Sequence, residues 1–294
     1  MDDSYKSARL HGPPSAGTSV PGQDGTGGRP SHASMSGAAE KPEVFTATEG
    51  GGGGGKTPLF ERYVQPCLAE LFGTGLFVWV GCASVIGNGG GGGVTQPAVA
   101  HGLALAVLIV MFGPISGGHF NPAVSLSVYL CGGMELTLLL PYVLTQLGGG
   151  LVGAGLTRAM FPYEVYNASH GGAFNVVGKD LGRTTLAEAV MTLFLTVVVV
   201  MGAVNSRTRS PWVPFCVGLT VTANIFAGGS LSGACMNPAR AFGPAAVANH
   251  WSHHWIYWVG PTSGALLTVV FIRYSKGSRR GIHPLHAGGS VDGT

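Results

Sequence analysis

Ile115-Ser116-Gly117-Gly118-His119-Phe120-Asn121-Pro122-Ala123 and Leu231-Ser232-Gly233-Ala234-Cys235-Met236-Asn237-Pro238-Ala239 decide the fold, because the second repeats the first at one constant offset along the chain. Each keeps Ser-Gly, three variable positions and Asn-Pro-Ala. At the same offset, His101-Gly102-Leu103 is answered by Val217-Gly218-Leu219. At a slightly different one, Leu68-Ala69-Glu70 returns as Leu186-Ala187-Glu188. Gly149 and Gly153 pair with Gly260 and Gly264, which gives a GxxxG spacing suited to close helix packing. A tripeptide repeats by chance; a pattern running through both halves of a chain marks a duplicated fold.

The surroundings of this repeat are apolar. Of 294 residues, 46% are hydrophobic and 10% charged, with a mean hydropathy of +0.34. Soluble domains carry about 25% charged residues, so the surface faces lipid. Between Pro66 and Met160 only Glu70, Glu135 and Arg158 are charged; between Thr184 and Ile272 only Glu188, Arg207, Arg209 and Arg240 are. A bilayer core about 30 Å thick requires roughly 20 apolar helical residues. Cys67–Gly87, Pro97–Pro114, Leu136–Thr157, Leu186–Val204, Trp212–Ala227 and Trp255–Ile272 satisfy that need as six spans. Asn121–Met134 and Asn237–Asn249 are apolar but too short to cross, and short helices at membrane depth are tolerated only inside protein or along a cavity. The fold class is therefore all-α and polytopic: six transmembrane helices plus two re-entrant half-helices.

Residues 1–58 are rich in Gly, Ser and Pro and end near six consecutive glycines, Gly50 to Gly55. This composition predicts a disordered tail, as it does for residues 276–294. Between the tails, residues 59–275 form one channel domain, with repeat one over about 66–160 and repeat two over about 183–274. The N-terminus lacks the basic and apolar regions of a signal peptide. Basic residues cluster in the tails and at Arg207 and Arg209, which predicts both termini on the cytoplasmic side. Asn167-Ala168-Ser169 then lies in an outward loop as an N-glycan acceptor. The five cysteines show no metal-ligand spacing and read as small apolar fillers.

Three spans per half is an odd number, so the halves are inverted in the membrane. Inverted repeats place a site at the bilayer midplane, built by broken helices whose N-termini point at it. Asn-Pro-Ala provides that geometry. Proline suits the first helical turn, where its missing N–H costs nothing. The preceding Asn121 or Asn237 caps the helix and keeps amide donors for the lumen. Two N-termini, each with about half a positive charge, then meet in a passage that binds neutral molecules and repels cations.

Ser116 to Ser125 and Ser232 to Arg240 resemble the two signature loops of the major intrinsic protein, or aquaporin, family. The resemblance extends over about Pro66 to Tyr274. It implies a homotetramer with one pore per subunit, no cofactor and no nucleic-acid partner. By the family pattern, the selectivity filter falls at His101, Ile225, Ala234 and Arg240. A His/Ile/small/Arg set is similar to that of the aquaporin-8 group, as is His254-Trp255-Ile256-Tyr257-Trp258; that group is associated with water, ammonia and hydrogen peroxide. The glycerol-channel marker, Asp after the motif Arg, is absent, for Ala241 stands there. The expected activity is passive conduction of water and small neutral solutes, with protons and ions excluded.

Each singled-out residue has a plainer reading. Glu70 and Glu188 are candidates for a proton path, but their matched positions favour carboxylates that support the re-entrant loops. His119 reads as scaffold, and His101 as a neutral pore-lining residue in preference to a pH gate. Cys235 borders the filter and is a candidate mercurial site, although relatives carry the sensitive thiol one position earlier, at Ala234 here. His250, His253 and His254 lack an acidic or Cys partner and read as interfacial. No nucleophile, base and orienting group assemble as in an enzyme. An ion-coupled transporter is the competing class, because it too uses inverted repeats. The plasma membrane is the expected location, with internal membranes as the alternative.

Overall fold

The computed structural model describes residues 58–89, 93–176 and 180–277; the tails read at 1–58 and 276–294 lie outside it apart from residues 58, 276 and 277. Gly90 to Gly92 of the glycine loop and Lys179 also fall outside. Among the described residues the chain is helical, without strands. Its α-helices are α1 (Gln65–Gly87), α2 (Thr95–Ser116), α3 (Pro122–Leu130), α4 (Leu136–Met160), α5 (Tyr163–Ala168), α6 (Leu181–Val199), α7 (Val213–Ser232), α8 (Pro238–Val247) and α9 (Ile256–Gly277). A π-helical turn, Phe60–Val64, leads into α1, and another, Val200–Val204, prolongs α6.

Six helices are long and apolar enough to cross a membrane, and α3 and α8 are the short helices that follow the two Asn-Pro-Ala motifs. Most spans run a few residues beyond the apolar stretches that foretold them, because local chemistry sets their ends. Helix α6 starts at Leu181, earlier than hydropathy indicates, since the Asp180 side chain caps the N–H of Arg183 at 3.1 Å. Helices α2 and α7 both stop at the serine of the repeated motif, where Gly117 (φ 88°) and Gly233 (φ 90°) take the left-handed conformation that ends a helix.

Packing follows the repeat. The close pairs are α1 with α4, α6 with α9, and α2 with α7 across the centre. Gly102 and Gly218 meet where α2 crosses α7; a Cβ on Gly102 would come within 2.6 Å of the Gly218 carbonyl. Each short helix leans on the other half: α8 packs against α4, and α3 against α9. The halves are thus interlocked.

The glycines of the third spans correct the pairing expected from sequence. A Cβ on Gly149 would collide with the Leu71 carbonyl and approach Thr74; one on Gly264 would collide with the Ala189 carbonyl and approach Thr192. Leu71 and Thr74 follow Glu70 by one and four positions, as Ala189 and Thr192 follow Glu188. Gly149 therefore corresponds to Gly264, one helical turn away from its expected match with Gly260. A small residue every fourth position looks alike in either register, so spacing could not choose.

The distribution of polarity is the reverse of a water-soluble protein's. Leu103, Val107, Met111, Leu140, Leu219 and Val270 are each more than half exposed, whereas Glu70, Glu188, Gln146, Asn121, Asn237 and Arg240 are buried. An apolar exterior around a polar interior suits a lipid solvent.

Candidate pore and its constriction

Asn121 and Asn237 sit at the N-termini of α3 and α8 with extended backbones and cap them. The Oδ1 of Asn121 accepts from Ala123 N–H at 2.9 Å; that of Asn237 accepts from Ala239 N–H at 2.9 Å and Arg240 N–H at 3.3 Å. Each Nδ2 donates across the repeat boundary, Asn121 to the Met236 carbonyl and Asn237 to the Phe120 carbonyl, both at 2.8 Å. One amide hydrogen of each asparagine is thus engaged with the opposite loop, and the second is left for the lumen.

Two buried carboxylates hold these loops. Glu70 of α1 accepts from Ser116 Oγ (2.6 Å), His119 N–H (2.9 Å), Phe120 N–H (2.6 Å) and Gln146 Nε2 (2.8 Å). Glu188 of α6 accepts from Ser232 Oγ (2.5 Å), Cys235 N–H (2.8 Å) and Met236 N–H (2.7 Å). Neither glutamate borders the lumen. The difference between them is Gln146: with Gly149 matched to Gly264, its counterpart is Pro261, which has no side-chain donor. Phe120 (φ 48°) and Met236 (φ 56°) are left-handed, a costly conformation for large side chains that persists because these carboxylates fix their N–H groups. Tyr142 Oη and Tyr257 Oη donate to the Ser116 and Ser232 carbonyls, both at 2.8 Å. Sequence reading missed this tyrosine pair; it stands seven positions before Gly149 and Gly264, so the corrected register reveals it.

His119 and Cys235 keep their equivalent places. His119 Nδ1 lies 3.1 Å from Ser125 Oγ, and Cys235 Sγ donates to the Asn237 carbonyl at 3.0 Å.

The expected filter residues converge. A single cavity of about 1100 Å³ runs from Arg62, Glu135 and Arg209 at one end, past both asparagines, to His101, Ile225, Ala234 and Arg240. His101 Nδ1 is 2.7 Å from the Pro97 carbonyl, and Arg240 Nε lies 3.2 Å from His101 Nε2. A carbonyl only accepts and a guanidinium only donates, so the imidazole is neutral with its proton on Nδ1. Both ring nitrogens are therefore occupied, one by the Pro97 carbonyl and the other in orienting Arg240.

Arg240 is 1% exposed. Its Nη1 donates to the Gly172 carbonyl at 3.1 Å, and its Cζ lies 4.7 Å above the Phe174 ring. The remaining guanidinium hydrogens have no protein acceptor among the described residues. Sequence reading missed Gly172 and Phe174, which lie on the α5–α6 connection where no motif signals them. It also missed Gly81, where a Cβ would come 2.9 Å from Arg240 Nε and nearer still to His101 Nε2. Asn167 is exposed near the end of α5, away from the pore.

Six spans, two interlocked half-helices and a long cavity lined by both Asn caps define a pore-forming membrane protein of the inverted-repeat type. Comparison with known proteins gives the family: the model described as "Major intrinsic protein" matches residues 60–272, and the chain belongs to that family. It is 49% identical over 223 residues to Aquaporin-8 of Mus musculus, covering 75% of this chain and 85% of that protein. It is 41% identical to Aquaporin TIP4-4 of Zea mays over 215 residues, 69% of this chain and 83% of that one. The aquaglyceroporin of Plasmodium falciparum shares the fold, with a TM-score of 0.60 over 71% of this chain and 95% of its own at 21% identity. The chain is a multi-pass membrane protein of a channel family.

Proposed function

We propose that the protein is a passive channel for water and small neutral solutes, ammonia and hydrogen peroxide among them, which excludes protons and ions. The observation that carries this reading is the pairing of His101 with Arg240 in a lumen that Ile225 and Ala234 also line. The first two make the lining polar with a fixed positive charge; the other two are aliphatic or small. Water, ammonia and peroxide are small, uncharged and able to accept from Arg240, and a cation meets its permanent charge. The two Asn-Pro-Ala turns add positive helix ends and one amide donor each at mid-membrane.

Glu70 and Glu188 act as loop supports in this account, His119 as scaffold, and no titratable group alternates access. Cys235 borders the lumen and is the thiol through which a mercurial would act. The channel works as a homotetramer with a pore in every subunit, in the plasma membrane or an internal one, with both termini cytoplasmic and Asn167 outside as a glycan acceptor. Ile225→His tests the filter: a second imidazole narrows the passage, so ammonia flux should drop while water flux persists. Equal loss or retention of both would remove Ile225 from the filter.

A further inference from the structure

At the end of the bundle opposite Phe60 and Gly277, the α4–α6 connection makes a turn of three consecutive left-handed residues: His170 (φ 50°), Gly171 (φ 62°) and Gly172 (φ 76°). Glycine accepts this conformation freely; histidine adopts it less readily. The turn is clamped on three sides. Gly172 lies against Cys82 of α1, where a Cβ would come 2.9 Å from its Cα, and Gly171 lies against the buried Tyr166 ring. On the third side the His170 ring stacks on His250, from the α8–α9 connection, at 4.1 Å between centroids and 12° between planes. His250 Nε2 is buried and has no hydrogen-bond partner. Two residues beyond His170, the Gly172 carbonyl receives Arg240 Nη1.

We propose that His170 and His250 are a positioning pair for Arg240, and that acid on their side of the membrane parts the stack and lowers permeability. The proposal rests on the reading of Arg240 as a filter residue. Two protonated rings at this separation repel, and the groups packed around them offer no compensation. Arg158 of α4 lies over Tyr166, and Arg240 of α8 adds a further positive charge. Glu164 and Tyr166 of α5, Cys82 of α1, and His253 and His254 beyond α8 are the other titratable neighbours. Among the described residues no carboxylate pairs with either ring. Once parted, the stack no longer holds the His170 turn and the Gly172 carbonyl withdraws. Arg240 then keeps its bond to His101 and its place over Phe174, but its Nη1 loses its acceptor and turns into the lumen. Burial first, and the His170 charge second, hold His250 below the ordinary histidine value of 6.5. The neutral, held state is therefore complete near neutrality and lost as pH falls through the lowered value.

Repulsion between unit charges about 4 Å apart in a water-like dielectric shifts the held-to-released equilibrium about fivefold. The test is water permeability of full-length protein in proteoliposomes from pH 7.5 to pH 5.0. Wild type should lose about half of its permeability or more over that range. His250→Phe keeps an aromatic plane but no proton, and should match wild type at pH 7.5 with a flat profile. His170→Asn, at an exposed position that tolerates left-handed backbone, should be flat as well and serves if the first variant misfolds. A flat wild-type profile overturns the proposal. So does a pH response that survives in either variant, which would place the titration elsewhere, at His101 for example. Failure of the filter reading is separable, because it appears as unchanged selectivity on replacing Arg240 at pH 7.5.

Discussion

Replacing Glu188 removes an acceptor that nothing nearby can substitute. Its carboxylate is fully buried and receives the N–H groups of Cys235 and Met236 and the Ser232 hydroxyl. Glu188→Ala leaves the two backbone groups without acceptors at about 1–3 kcal/mol each, about 2–6 kcal/mol together. That is a large share of the roughly 5–15 kcal/mol by which proteins are stable. Met236, held at φ 56° by one of these bonds, should relax and carry its carbonyl away from Asn121 Nδ2. Glu188→Gln keeps one carbonyl oxygen and should lose about half as much. The assay is thermal unfolding in detergent together with water flux in proteoliposomes. Melting temperatures should fall in the order wild type, Gln, Ala, with flux falling alongside. A fully stable Glu188→Gln protein that had lost gradient-driven flux would refute the reasoning and make Glu188 a proton carrier. An Ala variant as stable as wild type would refute it too.

Other consequences follow from the same geometry. Arg240→Ala should leave water flow intact while urea or cation passage rises about tenfold or more, the effect of about 1.4 kcal/mol off a barrier; unchanged selectivity would remove Arg240 from the filter. Tyr142→Phe and Tyr257→Phe each delete one hydrogen bond to a loop carbonyl and should cost about 0.5–1.5 kcal/mol, seen as similar drops in melting temperature. Gly149→Val and Gly264→Val should abolish monodisperse protein on size exclusion, while Gly155→Val, which meets nothing within 4 Å, should be tolerated. Glu135, outside the spans, is held below the usual carboxylate range chiefly by its hydrogen bond from Arg62. That pair is therefore intact near neutrality and lost only as pH falls through the lowered value, so it adds no pH dependence of its own, and Glu135→Gln should respond to pH between 5 and 7.5 as wild type does.

The fold was legible because its information is local and repeated. The two Asn-Pro-Ala turns, the matched Glu70 and Glu188, and the apolar spans each follow from residues close in sequence. The family positions for His101, Ile225, Ala234 and Arg240 also converge on one cavity, since they sit on or beside these elements. What stayed illegible depends on how distant segments meet. Small-residue spacing cannot fix register, so Gly149 was matched one turn away from its true partner, and the Tyr142 and Tyr257 pair was hidden with it. Gly172 and Phe174 reach Arg240 from an irregular connection whose path no periodicity encodes. Gly81 matters only because His101 and Arg240 need the space that its missing side chain leaves. The occupancy of both His101 nitrogens required the geometry of two other groups.

The central claim, an uncoupled channel for small neutral solutes, is tested most directly by stopped-flow light scattering on proteoliposomes of the full chain. Water, ammonia and glycerol permeability are compared there, with ion conductance recorded on the same protein. The account predicts fast water and ammonia flux, little glycerol flux and no ion current, all independent of any imposed proton or sodium gradient. Flux that appeared only under a proton or sodium gradient would contradict it and make the protein a transporter.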